Sequence, residues 1–309
     1  MDWDGAEIET VITSALTEDL GAGDVSVAAA VVPTASASTR VMANEEVVCA
    51  GLPLVEKLLS RLDADVSVET HVAEGLNAAR DTVLLTANGS ASAILSGQQT
   101  VLNLLSRLCG IATLTREYVR EVAGTRVKIR DTRNTAPGMR LLEQYAIRMG
   151  GGVHHRAGLF DAIVLRGEHI AAAGGIKAAL DQAHSHSSRL MNPAELTAYE
   201  ATGTMPSDAQ GSSLPIQIEV RDTNELSEAL SAGADSVLLS ATTAQEVKRL
   251  VEYARGIREN CVIEISGDIA LGDARSYAES GADFLSPHPL TTAARWARLS
   301  MLVDGLQEK

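Results

Sequence analysis

The hydrophobic positions of the first hundred residues change period several times. Ile8, Val11, Ile12, Ala15 and Leu16 recur at three- and four-residue steps, which predicts a helix ending at the Gly21–Asp24 turn. Short β-type runs follow at Ser38–Ala43 and Val47–Ala50. A helix is predicted over Leu52–Leu62, with Leu54, Val55, Leu58, Leu59 and Leu62 on one face. Val66, Val68, Thr70 and Val72 alternate with polar residues, the period of a half-buried strand. Asn88-Gly89, between Thr82–Ala87 and Ser90–Leu95, predicts a hairpin. Gln98–Val122 predicts a long helix interrupted at Cys109-Gly110.

From about residue 126 the pattern becomes strand, turn, helix, repeated. Apolar strand candidates are Val127–Ile129, Ala162–Leu165, Ile216–Val220, Ser236–Leu239, Val262–Ile265 and Asp283–Leu285. Amphipathic helices are predicted over Ile176–His184, Asn224–Ala232, Ala244–Ile257 and Gly272–Ser280. Continuous apolar strands alternating with helices predict a parallel sheet covered by helices. A weak repeat, Ser231–Ser240 against Glu279–Ser286, places Gly233 and Gly281 where a helix end needs a left-handed residue. The pattern favours a (β/α) barrel, whole or incomplete, over an open doubly wound sheet. The Ser-, Pro-, Gly- and Thr-rich stretch Ser187–Pro215 joins a helix to a strand, so it reads as an insertion at the barrel bottom, away from the chemistry.

In such barrels the reacting groups sit at the C-terminal ends of the strands. Those positions here hold Arg130-Asp131-Thr132-Arg133, Arg166, Glu219 with Arg221, Ser240, Ser266-Gly267, and Ser286 with His288.

Charge changes this picture. The chain has 26 Lys and Arg against 40 Asp and Glu, a net charge of −14, which speaks against a nucleic-acid-binding surface. The segment Arg130–His169 nevertheless holds six arginines and no lysine against four acids, so positive charge gathers at one rim. Arginine suits carboxylate and phosphate, and this cluster predicts an anion site. Three widely spaced cysteines, no basic-plus-apolar leader at the first residues and no apolar run of membrane-spanning length predict a reducing, cytoplasmic setting without membrane contact.

Several strings then carry a family resemblance. Glu18-Asp-Leu-Gly-Ala-Gly-Asp24, Leu102-Asn103 with Gly110-Ile-Ala-Thr113, Asp131-Thr-Arg-Asn-Thr-Ala-Pro-Gly-Met-Arg140 and Gln144-Tyr-Ala-Ile-Arg-Met-Gly-Gly-Gly-Val-His-His-Arg156 resemble the quinolinate phosphoribosyltransferases, the carboxylating nicotinate-nucleotide pyrophosphorylases. The match runs in order along nearly the whole chain. It implies an α/β fold of type II phosphoribosyltransferase kind: an N-terminal α/β sandwich over residues 1–112, joined by 291–309, and an incomplete α/β barrel over 113–290 with the insertion at 187–215. It also implies a homodimer, or a higher homo-oligomer, with shared active sites.

Family chemistry joins the phosphoribosyl group of phosphoribosyl pyrophosphate (PRPP) to the nitrogen of quinolinate, releasing pyrophosphate and CO₂. The resemblance implies Arg133, His155, Arg156 and Arg166 as carboxylate-binding residues, with His155 and Arg166 also catalytic. Glu219 is implied as a catalytic acid that would hold Mg²⁺ if PRPP is the donor, and Ser266, Gly267 and His288 occupy phosphate-binding positions. No organic cofactor is expected. Several positions depart from the family pattern. Asn134, Gln99 and Ser240 also fall at substrate-binding positions, but Asn134, like Arg166, stands where a lysine is expected, Gln99 stands for the arginine that reaches the neighbouring subunit, and Ser240 stands for an aspartate beside the metal. Asp268 and His288 replace phosphate-loop glycines. The first reading is a diverged enzyme acting on a carboxylated aromatic or heteroaromatic acceptor, with quinolinate turned over inefficiently. The alternatives are a PRPP-independent enzyme on a related small anion, a non-catalytic paralogue, and an ordinary carboxylating nicotinate-nucleotide pyrophosphorylase.

Overall fold

The computed structural model describes residues 1–187, 214–240 and 243–307. The chain forms two compact units. The first comprises Met1–Arg116, Ala136–Gly151 and Ala294–Lys309; the second comprises Glu117–Thr135 and Gly152–Ala293.

The first unit is built on a four-stranded antiparallel sheet. Its order is Leu299–Gln307, Ser36–Ala43, Val83–Ser90, Ser67–Thr70. Alternation along Ser36–Ala43 turns every second residue inward, with Ala37, Thr39, Val41 and Ala43 all buried. The helix Ala6–Leu20 buries Ile8, Ile12 and Leu16, as its spacing predicts. Asp24 ends the turn that follows by accepting hydrogen bonds from the Ser26 and Val27 N–H groups, which starts the helix Val25–Ala30.

Two glycines overturn local expectations here. Asn88-Gly89 makes no hairpin: Val83–Ser90 is one strand, and the helix Ala91–Glu121 starts directly after it. Gly89 pairs with Ala37, and a Cβ there would lie 2.7 Å from Val66 Cγ2, so the glycine serves close approach instead of a turn. The helix also runs unbroken through Cys109-Gly110. A Cβ on Gly110 would fall 1.9 Å from the Arg295 carbonyl oxygen, so this glycine makes room for a crossing chain.

The helix Arg140–Met149, in sequence part of the expected barrel, belongs to the first unit. Its buried Glu143 accepts two hydrogen bonds from Arg107 at 2.9 and 2.7 Å, and the Tyr145 hydroxyl donates to Glu74 at 2.6 Å. These polar pairings were invisible to an apolar-periodicity argument.

The second unit contains a six-stranded parallel sheet in the order Lys128–Ile129, Phe284–Pro287, Val262–Gly267, Ser236–Ser240, Ile216–Val220, Ile163–Leu165. The first two strands in sequence occupy the two ends of this order, the strand arrangement of a β/α barrel left open between them. Ile218, Val220, Val237, Leu239, Ile263 and Ile265 share one face of this sheet and are almost fully buried, as a covered face requires. Asp222 caps the helix Thr223–Ser231, and Thr243 with Glu246 forms a capping box at Ala244–Ile257. Gly233 and Gly281 both adopt positive φ, 90° and 87°, where their helices turn toward the next strand. Ser187 closes the helix Ile176–Ser187 and donates to the Leu214 carbonyl at 2.9 Å; the remainder of the insertion, 188–213, lies outside the described residues.

Candidate active site

The chain leaving the strand Lys128–Ile129 is pinned to the segment around residue 154. Arg130 forms a parallel bridge with Val153. Asp131 is buried; its Oδ2 lies 2.7 Å from His154 Nδ1, and its Oδ1 accepts the His155 N–H at 2.7 Å. Asp161 tightens the following loop by accepting the Ala157 and Gly158 N–H groups at 2.7 and 3.1 Å. Arg156 is buried and donates to the Ala162 carbonyl at 3.2 Å. The acid of the Asp131–Arg133 motif therefore acts as a fastener, and the bases around it are left to face the cavity.

At the centre sits Glu264, only 2% exposed. It accepts hydrogen bonds from Arg130 Nη1 at 2.9 Å, Gln217 Nε2 at 2.8 Å and the Ser286 hydroxyl at 2.5 Å. Burial alone would raise its carboxyl; His155 once protonated in acid, the Arg130 charge and the two neutral donors outweigh that and hold it below the usual carboxylate range. His155 Nδ1 is 3.9 Å from the same carboxylate. Burial, helped by Arg130 and Arg156, pushes His155 below its ordinary value against the pull of Glu264 and Asp131. A depressed value keeps the imidazole neutral at pH 7.

Around these groups lies a cavity of about 260 Å³. Arg133, Asn134, His155, Arg156 and Arg166 line it, and so do Ser266 and His288. Burial and the nearby Arg133 charge lower the Arg156 value, although a guanidinium keeps its proton at any working pH. Asp131 and Glu264 are bonded to donors of the wall, and three arginines stand in the same lining.

The structure thus brings seven of the sequence-predicted residues to one cavity. Gly267 ends the strand Val262–Gly267 with φ 155°, and its carbonyl accepts the His288 N–H at 2.9 Å. Glu219 and Ser240 stand apart from that lining. Glu219 borders a second hollow of about 230 Å³, accepts the Gly167 N–H at 3.2 Å and receives the Ser240 hydroxyl on its other oxygen. Gln99 belongs to the first unit, where its amide donates to Asn103 at 2.8 Å in a hollow that also holds Trp296 and Arg298. Sequence reasoning missed Glu264 and Gln217. The signal was present: Glu264 interrupts the apolar strand Val262–Ile265, and Gln217, two residues before Glu219, interrupts Ile216–Val220.

The C-terminal domain model of quinolinate phosphoribosyl transferase matches residues 111–302, and the N-terminal domain model matches residues 17–109. The chain belongs to the quinolinate phosphoribosyltransferase family. It is 32% identical to a probable carboxylating nicotinate-nucleotide pyrophosphorylase of Bacillus subtilis, over 96% of this chain and 93% of that one. It is 33% identical to the nicotinate-nucleotide pyrophosphorylase of Mycobacterium leprae, over 92% and 93%. The crystal structure of NadC from Streptococcus pyogenes superposes with a TM-score of 0.82 at 29% identity, covering 98% of this chain and 97% of that one. The nicotinate-nucleotide pyrophosphorylase of Ehrlichia chaffeensis gives a TM-score of 0.80 at 27% identity, over 96% and 98%. As a member of the quinolinate phosphoribosyltransferase family, the chain is an enzyme of the pentosyltransferase class. Among the described residues, no helix is long and apolar enough to cross a membrane.

Proposed function

We propose that this enzyme transfers the phosphoribosyl group of PRPP to the ring nitrogen of a small aromatic carboxylate, with quinolinate as the reference acceptor. The observation that carries this reading is the convergence of Arg133, Arg156 and Arg166 on one cavity of about 260 Å³. Guanidinium forks hold ring carboxylates by charge-assisted pairs and so fix the ring for in-line attack. The nitrogen lone pair attacks the sugar's anomeric carbon as the bond to pyrophosphate breaks. With quinolinate, the adjacent carboxylate then leaves as CO₂ and its electron pair takes up a proton. Neutral His155 supplies a hydrogen bond beside the ring without adding charge.

Glu219 is the residue that would hold Mg²⁺. The described residues contain no cluster of three or more His, Cys, Asp or Glu able to hold a metal by itself. One carboxylate with a neighbouring hydroxyl fits an ion that arrives on the diphosphate, because Mg²⁺ is commonly held by one or two carboxylates plus substrate phosphates. The ion would neutralise the leaving pyrophosphate. A shared-site homodimer belongs to the same proposal, with the hollow around Gln99 and the exposed Trp296 as the surface a second subunit would meet.

Ser240, in place of an acid beside Glu219, and Asn134 and Arg166, in place of lysines, favour a second reading in which the preferred acceptor is another ring carboxylate and quinolinate is turned over slowly. Incubation with PRPP, Mg²⁺ and a panel of pyridine and benzene mono- and dicarboxylates, followed by mass spectrometry, tests both. A phosphoribosylated product from quinolinate at least as fast as from any other acid supports the plain enzyme. A faster product from another acid supports the second reading. The absence of any product, with no PRPP binding by calorimetry, overturns both.

A further inference from the structure

Two of the positions that depart from the family's phosphate loops touch each other. Asp268 follows the strand Val262–Gly267, and His288 follows Phe284–Pro287. His288 Nδ1 lies 3.2 Å from Asp268 Oδ1, and His288 Nε2 lies 3.3 Å from Ser266 Oγ. The main-chain bond from His288 N–H to the Gly267 carbonyl, at 2.9 Å, fixes the register of this contact. Carboxylate, imidazole and hydroxyl therefore form a continuous row, of which Ser266 and His288 line the cavity. The same order of groups activates serine nucleophiles, but there the acid is buried. Asp268 is 89% exposed at its side chain, which points to charge balance and not to nucleophilic activation.

The row has two hydrogen-bonding states. A neutral His288 that donates from Nδ1 to Asp268 must accept at Nε2, which captures the Ser266 hydroxyl proton. An imidazolium donates from both nitrogens, so Ser266 Oγ becomes an acceptor and its own proton turns to another partner, the Ser286 carbonyl at 3.4 Å or a bound anion. The neutral state also leaves the Asp268 charge uncompensated beside any incoming phosphate.

We propose that the Asp268–His288–Ser266 row makes phosphate binding at this wall of the cavity proton-linked: the imidazolium state admits a phosphate dianion, and the neutral state disfavours it. This rests on the proposed use of PRPP and on the resemblance that puts Ser266, Gly267 and His288 at phosphate-binding positions. The other charged groups facing the cavity each have their own partners or fixed charge. Arg133, Arg156 and Arg166 keep their protons throughout. Asp131 is held by His154 and the His155 N–H, and Glu264 by Arg130, Gln217 and Ser286. His155 faces Glu264 and is kept neutral by burial. A dianion raises the proton affinity of His288, so a proton enters with the ligand. Where free His288 is neutral, affinity then falls by up to about tenfold per pH unit.

The test is calorimetry of the full chain with ribose 5-phosphate from about pH 7.5 to about pH 9, where the phosphate stays dianionic because its second pKa is about 6. Each point is measured in two buffers of different ionisation enthalpy. The expected result is net proton uptake with the ligand and binding about tenfold weaker at the upper end. His288→Gln should abolish the uptake and flatten the profile. Asp268→Asn should bind ribose 5-phosphate more tightly than the parent near pH 9, because the repelling charge is gone. Binding by the parent without proton uptake, or with the same profile as His288→Gln, overturns the inference. In that case PRPP binding in Mg²⁺ leaves the proposed function standing. No heat from either ribose 5-phosphate or PRPP overturns the inference together with the reading it rests on.

Discussion

Arg130 and Glu264 meet at 2.9 Å across the strands that frame the cavity, with the Arg130 guanidinium also 3.9 Å from the centre of the Phe284 ring. The carboxylate is buried and the guanidinium 17% exposed, so each depends on the other for its charge. Breaking such a pair from one side leaves an uncompensated buried charge and costs about 3–5 kcal/mol. Glu264→Ala should lose that much in urea unfolding, with the slope unchanged. Glu264→Gln, which keeps hydrogen-bonding capacity for Ser286 and Arg130, should lose less.

The same centre sets an acid limit on stability. Burial depresses His155 in the folded chain, so between its folded value and about 6.5 the unfolded chain binds more protons. The stabilisation is full above about pH 6.5 and is lost as pH falls. Glu264, held below its ordinary value, adds a further loss as pH drops through that lowered value. Melting temperature should therefore decline from neutral pH toward acid. His155→Gln should remove the part of the decline nearest pH 6; an unchanged profile in that variant would assign the loss elsewhere.

The proposed function gives Arg133, Arg156 and Arg166 the acceptor carboxylates to hold. Each charge-assisted contact is worth about 1.5–3 kcal/mol, which corresponds to about 10- to 150-fold in affinity. Arg133→Ala and Arg166→Ala should each weaken binding of a pyridine dicarboxylate by that range in calorimetry, with melting temperature little changed. Arg156 is buried, so its alanine variant should also lose stability.

Ser240 donates its hydroxyl to Glu219. Ser240→Asp would set two carboxylates side by side, which repel without a cation and hold one jointly. PRPP binding should become tighter in Mg²⁺, and melting temperature should fall when the ion is chelated. Loss of PRPP binding in both conditions would remove Glu219 from the metal role.

Gly110 offers a packing test free of catalysis. A methyl group there would overlap the Arg295 carbonyl, with a separation of only 1.9 Å before relaxation. Gly110→Ala should destabilise the chain by about 1–3 kcal/mol or more, since overpacking against main chain cannot be relieved by a rotamer change.

The sequence by itself determined the class of fold and the residue types of the site. Apolar runs alternating with amphipathic helices identify the parallel sheet, because burial of its strands leaves them few polar positions, and those few belong to the site. The segment Arg130–His169 supplies Arg133, Arg156 and Arg166 to the cavity, whereas its Arg140 and Arg148 lie in the helix of the first unit. Only the tertiary structure decided what Gly89 and Gly110 are for, because a missing side chain looks the same in a turn and in a close approach. It also assigned Arg140–Met149 to the first unit through Arg107–Glu143 and Tyr145–Glu74, pairs separated by 36 and 71 residues. Glu264 and Asp131 became the organisers of the site for the same reason. A buried acid takes its role from the donors that surround it, and Arg130, Gln217, Ser286 and His155 come together only when four separate segments of the second unit are folded side by side.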